Sequence, residues 1–284
     1  MIKVKVPGSC GEIVQGTESG RPFLITCPIN CYTEVRVTRV SGERIGLGEK
    51  SMRALDAACH KLGISEFPYG IRLTTELPHG KGMASSTADI ASVLYAVSTA
   101  MNRPFSADTV AKLAASIEPT DGTFFSGIVK MEPLTGKVLK SWSDVPNIRI
   151  AVLDTGGIVD TISFHNRADL LSLYHVQEHE AARAASFLND SLSIDNMAHA
   201  ASISALSHQT VLPKHSLPDI LECSLSNGAA GLNVAHSGTV IGIWFDVHTT
   251  ESKRAHCIRT LLDKFSSLTY LRTVDLISGG VDIN

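Results

Sequence analysis

The segment Leu77-Pro-His-Gly-Lys-Gly-Met-Ala-Ser-Ser-Thr-Ala-Asp89 carries residue types suited to holding an anion. It lies between a strand expected to end near Glu76 and a helix expected over 87–101. Gly80 and Gly82 let the backbone approach a ligand with no Cβ in the way. Ser85, Ser86 and Thr87 offer an N-cap and free N–H groups at the positive end of the helix dipole. Lys81 adds a cation at the same place. The chemistry is phosphate binding, although an ordinary strand-to-helix turn capped by serine uses the same residues. The common fingerprints do not apply, because Lys81 is followed by Gly82 instead of Ser or Thr. Ser85 also stands where a dinucleotide loop has its third glycine.

Two carboxylates lie close together in Glu118-Pro-Thr-Asp121-Gly. Two carboxylates so near each other can share one ion or simply cap a turn, and an Asp before Gly serves ordinary turns. Asp154, Thr155, Asp160, Asn166 and Arg167 form a polar group after an expected strand. The guanidinium of Arg167 suits a substrate carboxylate, and loop and helix-cap roles suit the same residues. His175-Val-Gln-Glu178-His179 puts two imidazoles at i, i+4 with a glutamate beside them, a zinc-hydrolase pattern. A third ligand is needed, and beyond residue 180 the glutamates are Glu222 and Glu251. A solvated helix face reads the same way. The six cysteines read as small buried hydrophobes, with Cys10 in a packing role.

The elements that must position these groups follow from periodicity. Alternation and β-branched residues predict strands over 2–6, 23–27, 33–40, 71–76, 123–131 and 149–153. Helical spacing marks 52–62, 87–101 and 107–117, and in the second of these Ile90, Val93, Leu94, Val97 and Met101 make an apolar stripe. Past residue 157, helices are expected over 167–188, 194–207, 216–225 and 251–265, with strands over 231–235, 239–245 and 270–276. A strand-rich first half followed by an α+β half predicts two modules with a boundary near residue 160.

Composition bounds the function. The 284 residues are 44% hydrophobic and 19% charged, which is a foldable globular chain. The 25 Lys and Arg against 28 Asp and Glu leave a formal charge of −3, without the basic surplus of a nucleic-acid or anionic-membrane binder. No run of 18 uncharged apolar residues occurs, and the first dozen residues read as strand and turn, so a cytoplasmic protein is expected.

Pro78-x-Gly80-x-Gly82-Met83-Ala84-Ser85-Ser86 resembles the P-x-G-x-G-L-x-S-S phosphate loop of the GHMP kinases, the superfamily of galactokinase, homoserine kinase and mevalonate kinase, with Met83 for Leu. Pro7-Gly-Ser-Cys-Gly-Glu-Ile-Val-Gln-Gly16 resembles its first motif, which faces the phosphoryl acceptor. The glycine-rich stretch Asn227 to Gly242 resembles its third, which buttresses the loop. Together with Glu118 to Gly122 and Leu153 to Thr161, these segments are most similar to the branch of the superfamily that phosphorylates L-threonine for the aminopropanol arm of cobalamin.

The resemblance implies an α+β, two-module fold. A ribosomal protein S5 domain 2-like ATP-binding module would cover 1–160 and a ferredoxin-like module 161–284, with the site in the groove between. It implies ATP and Mg²⁺, a small-molecule alcohol as acceptor, and no nucleic-acid or membrane partner. Pro78, His79, Gly80, Lys81, Gly82, Met83, Ala84, Ser85, Ser86 and Thr87 would bind ATP. Ser86 and Glu118 would hold the metal, and Asp121 would be the base. Ser9, Cys10, Gly11, Glu12, Asp154, Thr155 and Arg167 would meet the acceptor. Homoserine or another small alcohol is the alternative acceptor, and a nucleotide sensor without turnover is the alternative to a kinase.

Overall fold

The computed structural model describes residues 2–159, 163–164, 166–188 and 192–284; Asp160 and Thr161 lie outside the described residues. Two long strands, β1 (Lys3–Glu18) and β2 (Arg21–Thr38), form an antiparallel hairpin that runs from the pair Lys3 and Arg36 to the pair Glu18 and Arg21. Sequence patterning predicts shorter strands broken at the Pro-Gly segment and again at 28–32. Instead the ladder continues, because irregularities between Pro7 and Ser9, Ser9 and Glu12, and Glu12 and Val14 absorb the residues that would otherwise end it.

The chain then forms β3 (Arg44–Ile45), α1 (Glu49–Leu62), β4 (Gly70–Thr75), α2 (Ser85–Ala100) and α3 (Ala107–Ile117). Next come β5 (Ile128–Glu132), β6 (Lys137–Trp142) and β7 (Ile148–Asp154). The strand expected over 123–131 begins only at Ile128. Before it, Gly127 takes a left-handed φ of 82° and its N–H bonds Ser278 Oγ at 2.9 Å, which turns the chain out of the ladder. The later elements are α4 (Leu170–Ser186), α5 (Ile194–Ser207), α6 (Leu217–Ser226), β8 (Gly231–Val234), β9 (Val240–Asp246), α7 (Glu251–Lys264), β10 (Thr269–Asp275) and β11 (Asp282–Ile283). Among the described residues no helix is long and apolar enough to cross a membrane.

One sheet runs in the order β10-β7-β9-β8-β1-β2-β4-β3, with β11 also on β1, and β5 joining β2 to β6. β7 precedes residue 160 but pairs on both edges with strands from the last part of the chain. Alternation along β7 and β9 sorts two faces. Ile150, Val152, Val240 and Trp244 face the large core with α2, while Ala151, Leu153, Ile241, Ile243 and Phe245 face a second core with Ile220 of α6 and Leu261 of α7. α2 is buried almost all round, from Ser85 to Ser98, and packs against α1, α3 and the β1-β2 hairpin. A helix so enclosed has its N-terminus set by everything around it.

In the strand order the two halves of the sheet are joined by a narrow ladder, where Glu12 pairs with Val234. Fully buried Asn233 secures this seam. Its amide donates to the carbonyls of Cys10 and Glu12, and its Oδ1 accepts Trp244 Nε1–H at 2.9 Å. Replacing it leaves three buried polar groups unpaired. Asn233→Ala is expected to cost about 3 kcal/mol of stability, seen as a lower urea midpoint at unchanged slope. A midpoint equal to the parent's would remove this residue from the seam.

Candidate active site

The loop from Pro78 to Ala84 enters α2 in a conformation that its neighbours hold by the carbonyls. Ser9 N–H bonds Met83 O at 3.0 Å and Gly11 N–H bonds Gly82 O at 3.3 Å, both from β1. Thr239 and Val240 donate to Lys81 O at 3.0 and 3.1 Å, and Val159 donates to Gly80 O at 3.1 Å. The turn at 235–239 approaches so closely that a Cβ on Gly82 would lie 2.2 Å from Ala235 Cβ, and one on Gly238 would lie 2.3 Å from Lys81 O. Glycine at both positions is therefore a steric requirement of the contact.

This entry changes which residue caps α2. Sequence spacing predicts a serine N-cap, but the cap position falls on Ala84, in the left-handed region at φ 54°, and among the described residues no side-chain cap bond closes the first turn. The N–H groups of that turn stay uncapped, and Ser85, Ser86 and Thr87 line a cavity of about 460 Å³ in front of them. An uncapped helix N-terminus carries partial positive charge and open donors, which is an anion site.

Carboxylates fill the opposite role in the same cavity. The bulged segment of β1 brings Ser9 and Glu12 to its wall, and the turn after α3 brings Glu118, Pro119 and Asp121. Asp121 is held by Thr87, whose Oγ1 donates to Asp121 Oδ2 and accepts Asp121 N–H, both at 3.2 Å. Burial, reinforced by the charge of Asp121, pushes the Glu12 carboxyl well above the ordinary carboxylate range, although a Thr26 hydrogen bond opposes the shift. Burial likewise pushes Asp121 up to about 6 against the pull of Thr87. Two adjoining buried carboxyls cannot both ionise cheaply, so the pair keeps one proton between them. Among the described residues, Glu12 Oε2 has no hydrogen-bond partner.

Glu118 is paired with Lys50 of α1, and its side chain is only 2% exposed. Ser86 and Glu118 offer a hydroxyl and a carboxylate at one cavity, while no set of three His, Cys, Asp or Glu among the described residues is placed to hold a metal ion. Such a sparse, all-oxygen set fits Mg²⁺, which is commonly held by one or two protein groups with phosphate oxygens and water completing the shell.

Of the residues expected at the site, Ser9, Glu12, Glu118, Asp121, His79, Gly80 and Gly82 through Thr87 line the cavity. Seven do not. Pro78 lies in a neighbouring groove beside Arg272. Lys81, expected beside the phosphates, instead donates to Asp154 Oδ2 at 2.6 Å and Gly157 O at 2.7 Å. Asp154 also accepts Thr239 Oγ1 at 2.5 Å, and these donors hold it below the usual carboxylate range despite partial burial. Thr155 donates through both N and Oγ1 to Thr239 O. These three residues brace the loop and do not face the cavity. Cys10 and Gly11 are packed into the seam with β8, and burial pushes the Cys10 thiol up. Arg167 is spent on Asp169 and on Val211 O. Asp160 lies outside the described residues.

His236 lines the cavity with both ring nitrogens engaged, to Tyr174 Oη at 2.8 Å and Gln15 Oε1 at 2.7 Å. His175 and His179 are 85% and 88% exposed on α4 and pair with Glu178 and Glu180, which is the solvated-face arrangement. Sequence reasoning missed Lys50 and Asp89. Asp89 is buried at the cavity edge with Thr33 Oγ1 at 2.7 Å, and burial pushes it up to about 6. It stands within the loop segment and three residues after Ser86, so helical spacing already placed it near the serines. Nothing local marks Lys50.

Because Glu12 binds its proton more tightly folded than unfolded, it lowers stability as pH rises above about 4.3, the unfolded value, toward its native one. Glu12→Gln is expected to raise the Tm by about 2–6 °C at about pH 8 and to converge with the parent near about pH 4. Thermal melts across pH check this, and equal melting temperatures at alkaline pH would mean that Glu12 carries no buried-charge penalty.

Residues 49–128 match the family model described as GHMP kinases N terminal domain. The chain is 30% identical over 261 residues to the L-threonine kinase of Citrobacter freundii, covering 87% of each chain. It is 28% identical over 294 residues to the L-threonine kinase of Salmonella typhimurium (strain LT2), covering 98% of this chain and 94% of that protein. Among solved structures it is similar to a mevalonate kinase, with a TM-score of 0.69 at 12% identity over 96% of this chain and 99% of that one. It is also similar to homoserine kinase from Cytophaga hutchinsonii, with a TM-score of 0.68 at 17% identity over 100% and 97%. With the loop, the first motif and the third meeting at one cavity, and with these relatives spanning nearly its whole length, the chain belongs to the GHMP kinase family.

Proposed function

We propose that this protein transfers the γ-phosphoryl group of ATP to the side-chain hydroxyl of L-threonine, forming O-phospho-L-threonine and ADP. The observation that carries this reading is the meeting, in one cavity, of an uncapped helix N-terminus with the Glu12 and Asp121 carboxyl pair. One suits a polyphosphate and the other an acceptor that brings a hydroxyl and an ammonium. The names of the Salmonella and Citrobacter relatives support L-threonine as that acceptor.

Phosphoryl transfer asks for positioning and charge neutralisation more than for covalent chemistry. The first-turn N–H groups of α2 and the hydroxyls of Ser85 and Ser86 hold the phosphates. Glu12 Oε2, unpartnered in its wall, receives the acceptor's ammonium. Asp121, the ionised member of the pair, orients the hydroxyl. As the threonine oxygen bonds to the γ-phosphorus and the bond to the ADP oxygen breaks, the hydroxyl proton passes to Asp121. Mg²⁺ held by Ser86 and Glu118 would neutralise phosphate oxygens. Lys81, Asp154 and Thr155 serve by bracing the loop, which explains why they sit behind it.

Asp121 works as a base only when ionised, so kcat is expected to fall as pH drops through about 6. Asp121→Asn should lower kcat by about 10² to 10⁴ with a smaller change in KM, and steady-state kinetics with unchanged kcat would dismiss the base. The acceptor is tested by ADP release with L-threonine, L-serine, L-homoserine, mevalonate and galactose, the product being identified by mass. L-Threonine should have the highest kcat/KM. A missing methyl is worth about 1–3 kcal/mol, so L-serine should follow at roughly one-tenth or less. Preference for a neutral alcohol would overturn the acceptor assignment.

A further inference from the structure

On the reading above, the cavity must take a polyanion, yet its wall is acidic. Glu12, Glu49, Asp89, Glu118 and Asp121 all line it, and among the described lining residues Lys50 is the one Lys or Arg. The loop's own cation, Lys81, is committed to Asp154 and Gly157 O. Among the described lining residues, the Lys or Arg that can meet the phosphates therefore comes from α1.

Lys50 stands in the first turn of α1, and its Nζ is paired with Glu118. The pair is lopsided. The Glu118 side chain is 2% exposed, whereas that of Lys50 is 29% exposed on a flexible four-carbon stem. A carboxylate so buried needs a cation in every state, because leaving it bare is costly. Lys50 is the partner that is free to move.

We infer that Lys50 is a phosphate-binding residue of the nucleotide site, and that Glu118 is its counter-ion only until nucleotide arrives. Lys50 then turns to the phosphate oxygens, and Glu118 is left to a divalent cation beside Ser86. In this exchange no buried charge is left alone: metal without phosphate leaves Lys50 facing a cation, and phosphate without metal leaves Glu118 bare. Metal and nucleotide therefore strengthen each other's binding, and the coupling is reciprocal.

The test is equilibrium binding of ATP, ADP and adenosine to the full chain without acceptor, in Mg²⁺ and in EDTA. Lys50→Met should weaken ATP by about 10- to 100-fold and ADP by less, with adenosine within about twofold. Lys50→Arg, which keeps the charge, should recover most of the loss. Glu118→Gln should strengthen ATP binding in EDTA, because Lys50 is released, and shrink the gain that Mg²⁺ brings. Should Lys50→Met unfold by stranding Glu118, the Lys50→Met, Glu118→Gln double variant, once its Tm is shown to match the parent's, must still bind ATP more weakly than Glu118→Gln alone. ATP binding unchanged by loss of Lys50, or adenosine weakened as much as ATP, would overturn the inference while the kinase reading stands. Failure of the parent chain to bind ATP in either condition would overturn both.

Discussion

The site depends on a contact between two backbones. Gly82 of the loop and Gly238 of the 235–239 turn approach closer than any side chain permits, and five donors from β1, the β8-β9 turn and residue 159 occupy four of the loop's carbonyls. With its acceptors turned into the scaffold, the loop presents its donors, and α2 starts without a side-chain cap. A serine cap would have satisfied those N–H groups internally and made the helix start an ordinary one. The anion site exists because the surrounding strands impose a left-handed Ala84 in its place.

A second constraint is electrostatic. The cavity collects five carboxylates around a place meant for phosphates, an arrangement that would repel its ligand if all were ionised. The structure relieves this in three ways. Glu12 and Asp121 share a proton, Asp89 is held by Thr33 with its carboxyl raised, and Glu118 is neutralised by Lys50. Each device ties the charge of the cavity to what is bound or to pH, so binding and protonation are linked. Burial is what makes each of them strong, since the same groups in water would interact only weakly.

The sheet explains how residues so far apart reach one cavity. β1 carries Ser9 and Glu12 at its irregular centre and joins the two halves of the sheet at Glu12 and Val234. The acceptor side and the loop's buttress are thus built on one strand and its seam. Asn233 and Trp244 stiffen that seam from the interior. β7, though it precedes residue 160, completes the far half of the sheet and ends at Asp154, from which the brace to Lys81 extends.

Much of this was legible in the sequence where the physics is local. The glycines at 80 and 82, the serines that follow and the carboxylates at 118 and 121 stand in short segments whose spacing reflects steric and helical geometry. The resemblance of three ordered motifs to the GHMP kinases supplied the fold. The helices of the first half were placed by their apolar stripe, and their ends needed little correction. What depended on distant partners was not legible. Lys50 and Glu118 are 68 positions apart, Lys81 is turned aside by an Asp at 154, and Arg167 is taken by Asp169 and Val211 O before any substrate could use it. A charged side chain's role is set by which opposite charge lies within a few ångströms after folding, and a linear pattern holds no such distance. Which residues are capable of phosphate and proton chemistry can be read from the chain, because capability is a property of residue type and local geometry. Which of them are free to perform it follows from folding, because burial and pairing set charge, donor availability and reach.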